Sequence, residues 1–417
     1  MRLRLATVAL ALAALALSPS TSSAAYQPPP IRHVWVIVLE NASFNTPTCS
    51  VPGRQCQSPF NGTVNGKSYS PYLRDTLTKQ GNLLTQYWGT GHNSLDNYIA
   101  MVSGQSPTPG TQSDGLFCFG GSFAPNRVSD EIPNDAPVGP FGQIVGQGCT
   151  YPAKVKTLAD QLEAKGLTWK GYMEDLGSST AQDGGRCPRA DQGGYVKKHD
   201  PFQWFHSIID DQSRCLSHDV PLTELAGDLQ SPRTTPNFSF ISPNLVDDGH
   251  DGDWTTTTDP WLRQYVPMIM SSPAYRKDGM ILITFDEAGG LTGVPLWSPA
   301  EDDGACCNEI PGPNSPMPGI MGPGGGRTGT LVLSPFVKPG TVDDPSGPLS
   351  DACTPVTCAG TGYYNHYSFL RSMEDLFGIK KGGDDGHGHL GFAGSYGPTY
   401  PGPGAFGPDV YNNWPRR

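Results

Sequence analysis

Four apolar runs in this chain each end in a cluster of acids or amides, and one serine opens a helical segment between the first two. Glu40-Asn41 follows residues 33–39, Glu174-Asp175 follows 167–173, Asn244 follows 238–243, and Asp286-Glu287 follows 279–285. Carboxylate and amide oxygens are hard donors, suited to Ca²⁺, Mg²⁺ or Mn²⁺. Two adjacent carboxylates such as Asp286-Glu287 repel each other unless a cation or an arginine compensates them. Glu40, Asn41, Asp286 and Glu287 therefore predict a site for one divalent metal ion, with Zn²⁺ the softer alternative. The plainer readings are a turn capped by Asn41 with Glu40 in solvent, and an Asp-Glu turn made by the glycines at 289 and 290.

Residues 91–98 open a helix whose Ile99, Ala100 and Val102 face the core. Ser94 reads as its N-cap, with the hydroxyl at the positive end of the helix dipole, where free backbone N–H groups also receive phosphate. A serine so placed can attack phosphorus when a cation stabilises its alkoxide. As a metal neighbour it completes the set with Glu40, Asn41, Asp286 and Glu287. A plain helix cap is the alternative. His199 and His250, the latter in an Asp-rich loop, are candidates for contact with phosphoryl oxygens or a leaving group, while His92 and His387 read as solvated loop histidines. Asn41, Asn61 and Asn237 open formal glycosylation sequons.

The elements that must carry these residues alternate strand and helix. Near-continuous apolar runs are buried parallel strands, and open parallel sheets bind ligands beyond their carboxyl ends. Strands are predicted at 33–39, 83–88, 167–173, 238–243, 279–285 and 329–337. Helices are predicted near 69–79, 94–103, 155–162, 201–210, 221–229, 260–276 and 367–379. Long Gly/Pro-rich insertions fall at 105–150, 176–198 and 288–327. The fold class is α/β, a doubly wound, mainly parallel sheet with helices on both faces. One domain spans 26–417, with its core at 33–379 and a surface-wrapping tail at 380–417.

Arg2 and Arg4 precede an apolar stretch over 5–17, and Ser23-Ala24-Ala25 offers a cleavage point, so residues 1–25 read as a signal peptide. The expected location is secreted, extracellular or periplasmic, without stable membrane insertion. With 39 acidic against 28 basic residues the net charge is −11, which argues against nucleic acid as a partner. The 10 cysteines of an exported chain suggest five disulfides. Spacing points to Cys49/Cys56, Cys353/Cys358, Cys118/Cys149 and Cys187/Cys215, with Cys306-Cys307 vicinal or paired elsewhere. Oligomeric state is not legible.

Six segments in order resemble the secreted acid phosphatase and phospholipase C family of phosphoesterases, within the alkaline phosphatase superfamily. They are Val36-Ile-Val-Leu-Glu-Asn-Ala-Ser-Phe44; His92-Asn-Ser-Leu-Asp-Asn-Tyr98 with Met101-Val-Ser-Gly104; and His199-Asp-Pro-Phe202. Then come Phe240-Ile-Ser-Pro-Asn244 leading to His250-Asp-Gly252, Ile283-Thr-Phe-Asp-Glu-Ala-Gly-Gly290, and His366-Tyr-Ser-Phe-Leu370 with Glu374-Asp-Leu-Phe-Gly378. The resemblance implies an alkaline phosphatase-like fold and Ser94 as nucleophile. It places one metal on Glu40, Asn41, Asp286 and Glu287, and puts His199 and His250 at the phosphoryl group. Asp247, Asn244 and His366 stand where second-site or phosphate contacts would fall. The sequence departs from the superfamily's two-metal pattern, because Asp247 precedes His250 by three residues and residue 246 is Val. It also carries Leu291-Thr-Gly293 where many phospholipase-like relatives have an Asp-His pair.

The expected activity is metal-dependent hydrolysis of a phosphate monoester through a phosphoserine, on a small-molecule phosphate ester or a phospholipid. The alternatives are a phosphodiesterase or phospholipase C, and a secreted binding protein that keeps the scaffold without catalysis.

Overall fold

Every residue of β1 (His33–Leu39) is buried, as a strand covered on both faces requires. In the computed structural model, which describes residues 26–44, 58–64, 67–68, 70–115, 118, 130–177, 187, 189–289, 302–345 and 362–414, this strand lies at the centre of the main sheet. The other strands of that sheet are β2 (Asn82–Leu84), β3 (Trp169–Met173), β4 (Asp219–Pro221), β5 (Phe238–Ser242), β6 (Gly279–Phe285), β7 (Thr330–Leu333) and β8 (Thr341–Asp343). Their order is β8-β2-β7-β6-β1-β5-β3-β4, and β7 alone among them runs antiparallel to its neighbours.

The period-2 alternation of β1 divides the protein into two layers. Val34, Val36 and Val38 enter one apolar cluster with α1 (Ser94–Ser103), α2 (Leu158–Ala164) and the helix His366–Leu376, through Ile99, Leu158 and Phe369 among others. Trp35, Ile37 and Leu39 enter the opposite cluster with α3 (Thr258–Ser271), through Leu262, Val266 and Ile269. Helices on both faces of a mainly parallel sheet are the doubly wound α/β architecture expected from the sequence.

Register decides where the chemistry falls. Leu39 pairs with Phe285 across β1 and β6, so Glu40 and Asp286 leave adjacent strands at the same level. The Asp286 N–H donates to the Leu39 carbonyl at 3.0 Å, and the Glu40 N–H to the Asp248 carbonyl at 2.9 Å. Asn41 turns the chain away with φ 46°, a left-handed conformation that Asn tolerates better than most residues. The helix α1 begins one residue earlier than expected: Asn93 is the N-cap and Ser94 the first helical residue. It stops at Gly104, whose φ of 67° closes the last turn and whose missing Cβ makes room for the Leu390 carbonyl.

Several expectations are corrected. In place of the regular helix expected near 69–79, the described residues form a π-turn, Leu73–Leu77, and a 3₁₀ turn, Thr78–Gln80. The buried Asp259 carboxylate takes the N–H groups of Tyr72 and Leu73 and the Ser70 hydroxyl, so a distant side chain shapes this turn. The strand expected at 83–88 divides into β2 and a two-residue strand, Tyr87–Trp88, which pairs in a separate sheet with Tyr364–Asn365. The short strands β4 and β8 have no sequence counterpart above. The tail does more than wrap the surface, because Leu390, Phe406, Val410 and Tyr411 are buried in the same cluster as β1. Cys118–Cys149, Cys187–Cys215 and the vicinal Cys306–Cys307 are bonded. The signal peptide and the pairs Cys49/Cys56 and Cys353/Cys358 lie outside the described residues. No helix among the described residues is long and apolar enough to cross a membrane.

Candidate active site

Glu40 organises the carboxyl edge of the sheet. Its Oε2 accepts the Ser94 hydroxyl at 2.9 Å and the Asn41 amide N–H at 3.2 Å, while Oε1 accepts the Tyr98 hydroxyl at 2.6 Å. Ser94 and Tyr98 lie four residues apart on α1, so one helix face presents both hydroxyls to one carboxylate. Asp286 Oδ1 accepts the Asn41 backbone N–H at 2.9 Å. Of the expected ligand set, Glu40, Asn41, Ser94 and Asp286 therefore converge.

Glu287 turns elsewhere. Its carboxylate is bonded to Nδ1 of His92, whose Nε2 faces the Asp302 carbonyl at 3.0 Å. His92 is thus a buried partner and not the solvated loop residue expected. Burial works against its charge, but Glu287 outweighs it and raises the imidazole to about 9. Glu287 itself is pushed by burial to about 7, against the pull of His92. An acid already matched by its own cation has less to offer a metal than an unmatched one.

Two other residues join Glu40 instead. His199 places Nε2 3.3 Å from Glu40 Oε1 and Nδ1 3.2 Å from Asp248 Oδ2. One donor atom each from Glu40, His199 and Asp248 lie within 4.8 Å of one another. Tyr98 stacks on the His199 ring at 5.2 Å and 5°. The neighbouring Asp247, which the sequence offered, belongs to a different loop corner. There Asn244 Oδ1 accepts the N–H groups of Val246 and Asp247, and its Nδ2 donates to Asp175. Asn244 and Asp247 thus build the loop that delivers Asp248. His366 is fully buried, with Nε2 on the Asp286 carbonyl and Nδ1 3.1 Å from the Tyr87 hydroxyl. Burial lowers it to about 4, so it is a neutral support for the strand end and has no free nitrogen for a ligand. His250 stays at the rim, 32% exposed, with Nδ1 2.7 Å from Asp251 and its ring 6.3 Å from that of His199.

The electrostatics ask for a cation. Burial, then Asp286 and Asp248, raise the Glu40 carboxyl well above its ordinary range, and burial also raises Asp248 and Asp286. His199 is held well below the usual imidazole range by burial, with Lys198 and His250 adding to it, and is therefore neutral. Asp286 Oδ2, Asp248 Oδ2 and both His199 nitrogens are buried without a hydrogen-bond partner. Buried polar atoms are rarely left so. A divalent ion would take one donor atom each from Glu40, Asp248 and His199, beside Asp286, so the residues present fit such a group. The donors are mostly oxygen with one nitrogen, a mixture that Mn²⁺ and Zn²⁺ accept as readily as Mg²⁺.

Sequence reasoning passed over Tyr98 and Asp248. Asp248 was within reach, since an acid two residues before His250 in a post-strand loop is the same signal that drew attention to Asp247. For Tyr98 the i to i+4 spacing from Ser94 was visible, but nothing in it named Glu40 as the shared partner. Replacing Tyr98 with Phe keeps the stacked ring and deletes one hydrogen bond. The expected result is a loss of about 1 kcal/mol in stability, which thermal melts check.

Fold and site together describe an α/β protein with a serine-and-carboxylate centre at the carboxyl edge of its sheet. A model of the Phosphoesterase family matches residues 70–380, and the chain belongs to that family, which confirms the family resemblance drawn from the six segments. A phosphate-repressible acid phosphatase of Penicillium chrysogenum is 28% identical over 246 residues, which is 58% of this chain and 50% of that protein. The chain spans about half the length of the curated fungal relatives it matches. A phosphatidylinositol-3-phosphatase of Mycobacterium tuberculosis is 22% identical over 367 residues, 88% of this chain and 83% of that protein. Among solved structures, a protein of the alkaline phosphatase superfamily from Vibrio parahaemolyticus overlays with a TM-score of 0.43 at 12% identity, covering 85% of this chain and 67% of that one.

Proposed function

We propose that this protein hydrolyses phosphate monoesters outside the cytoplasm, with Ser94 as the nucleophile. The observation that carries the reading is the Ser94 hydroxyl held 2.9 Å from a buried carboxylate, among buried donor atoms that have no partner of their own. Membership of the Phosphoesterase family and relatives named as acid phosphatases support it.

Glu40, Asp248, Asp286, His199 and Asn41 would hold the metal, which when bound supplies positive charge beside Ser94 and the phosphoryl oxygens. The chain's own residues do the rest. The Ser94 proton leaves along the existing hydrogen bond to Glu40, and Oγ attacks phosphorus in line with the departing oxygen. Tyr98 keeps Glu40 from turning away during this transfer. His250, at the rim with its ring 6.3 Å from that of His199, would give the leaving alkoxide its proton. Water then releases phosphate from Ser94 by the reverse proton path. Burial of Glu40, Asp248 and Asp286 excludes bulk water and strengthens each of these interactions.

A lipid headgroup monoester is a second substrate reading. It rests on the mycobacterial relative, named for a phosphatidylinositol phosphate, whose likeness runs over most of this chain. The test is an acid-quenched reaction with an aryl phosphate, followed by mass spectrometry of the peptide containing Ser94. A phosphoryl adduct on Ser94, paralleled by phosphate release, is the expected result. Turnover with the adduct on another residue, or phosphate release from no ester at all, would sink the proposal.

A further inference from the structure

Lys198 stands beside the carboxylate trio without joining it. Its Nζ donates to Asp114 Oδ2 at 2.8 Å, and the other oxygen of Asp114 accepts the Leu95 backbone N–H at 3.0 Å. One carboxylate thus bridges an ammonium and the first N–H after Ser94, spanning two donors with two oxygens as a phosphoryl group would. The next residue, His199, touches Glu40 and Asp248 directly. Unlike Glu40, which is sealed, the Lys198 and Asp114 side chains are 20% and 18% exposed, so an incoming anion can reach them. Asp114 is carried on a loop after the 3₁₀ turn Thr111–Ser113, with φ 53°, and belongs to neither the sheet nor α1.

We propose that Lys198 is the residue that selects doubly charged phosphate monoesters over diesters, and that Asp114 occupies its cradle until the substrate displaces it. The assignment rests on the reading of Ser94 as the nucleophile. A monoester at neutral pH spreads about two negative charges over its three non-bridging oxygens, whereas a diester has traded one of those oxygens and one charge for a second ester group. A fixed ammonium and a backbone N–H at a helix start reward the extra charge. Diesters gain less from Lys198 and keep Asp114 in place.

The experiment measures binding of inorganic phosphate and of dimethyl phosphate by calorimetry, beside turnover of an aryl phosphate and its bis-aryl diester. It compares the metal-loaded wild type with Lys198→Met, Lys198→Arg and Asp114→Asn. Lys198→Met is expected to weaken phosphate binding and lower monoester kcat/KM by roughly 100-fold, with diester values within about threefold. Lys198→Arg should recover most of the loss, because charge rather than shape is read. Asp114→Asn should tighten phosphate by roughly fivefold, since the competing internal anion is gone. Equal losses on both esters, unchanged phosphate affinity in Lys198→Met, no phosphate binding by the wild type, or weaker phosphate binding in Asp114→Asn each overturn the assignment. A wild type that binds phosphate yet cleaves neither ester removes the nucleophile reading alone, and the phosphate measurements then still decide the role of Lys198.

Discussion

Replacing Ser94 with Ala is expected to lower phosphate release by roughly 10⁴-fold or more, because it deletes the only atom proposed to bond to phosphorus. The local cost to the fold is small. Glu40 loses one hydrogen-bond donor but keeps Tyr98 and Asn41, and the methyl group fits the space of the hydroxymethyl. A stability change of about 1 kcal/mol or less follows. Phosphate binding should survive, since the donors that would receive it belong to other residues. The combination of lost turnover, retained phosphate affinity and retained melting temperature identifies a nucleophile and not a structural serine. Residual turnover within about tenfold of wild type would instead point to direct attack by water, with Ser94 reduced to a neighbour.

The sheet was readable because its central strands announce themselves. Residues 33–39 and 279–285 are apolar throughout, as burial on both faces demands, and both strands end where the sequence places their first acid. That made the meeting of Glu40 and Asp286 deducible from topology alone, since neighbouring parallel strands present their carboxyl ends to the same space. Short elements were not readable. The strand Asp219–Pro221 has 3 residues and exists because β3 lends it an edge, which is a tertiary cause without a local pattern. The irregular turn after Ser70 likewise depends on Asp259, far away in sequence. In the site, Glu287 was assigned by its adjacency to Asp286, and Asp247 by the position that the family resemblance gives a second-site or phosphate contact. Adjacent residues leaving a strand point in different directions, so Asp286 faces Ser94 while Glu287 meets His92. Which of two neighbouring acids turns inward is a matter of one dihedral, and composition is silent on it.

The same crowding of charge makes a second substitution informative, with opposite effects on activity and stability. Glu40→Gln keeps the size of the side chain and one accepting oxygen, but removes one of three buried negative charges. Loss of roughly 10³-fold in kcat/KM is expected, because the proton acceptor for Ser94 and a metal-holding oxygen go together. Stability of the chelator-treated protein should move the other way. Burial, then Asp286 and Asp248, hold the folded-state pKa of Glu40 well above the unfolded value. A carboxyl raised in this way contributes its stability below the ordinary glutamate range and loses it as pH climbs through the folded value. Metal-free wild type should therefore weaken on going from pH 4 to pH 8, whereas metal-free Glu40→Gln weakens less. At pH 8 the variant should be the more stable by about 2 kcal/mol, with the gap closing near pH 4. Adding Mn²⁺ or Mg²⁺ should reverse the order: the wild type gains strongly by binding the ion in its folded state, and the variant gains little. Melting curves across pH, with chelator and with added ion, measure all four cases. A metal-free variant less stable than metal-free wild type at pH 8 would mean that the Tyr98 and Ser94 hydrogen bonds to Glu40 outweigh the repulsion among the three acids. The trio would then be a hydrogen-bonded structural cluster and not a site held open for a cation.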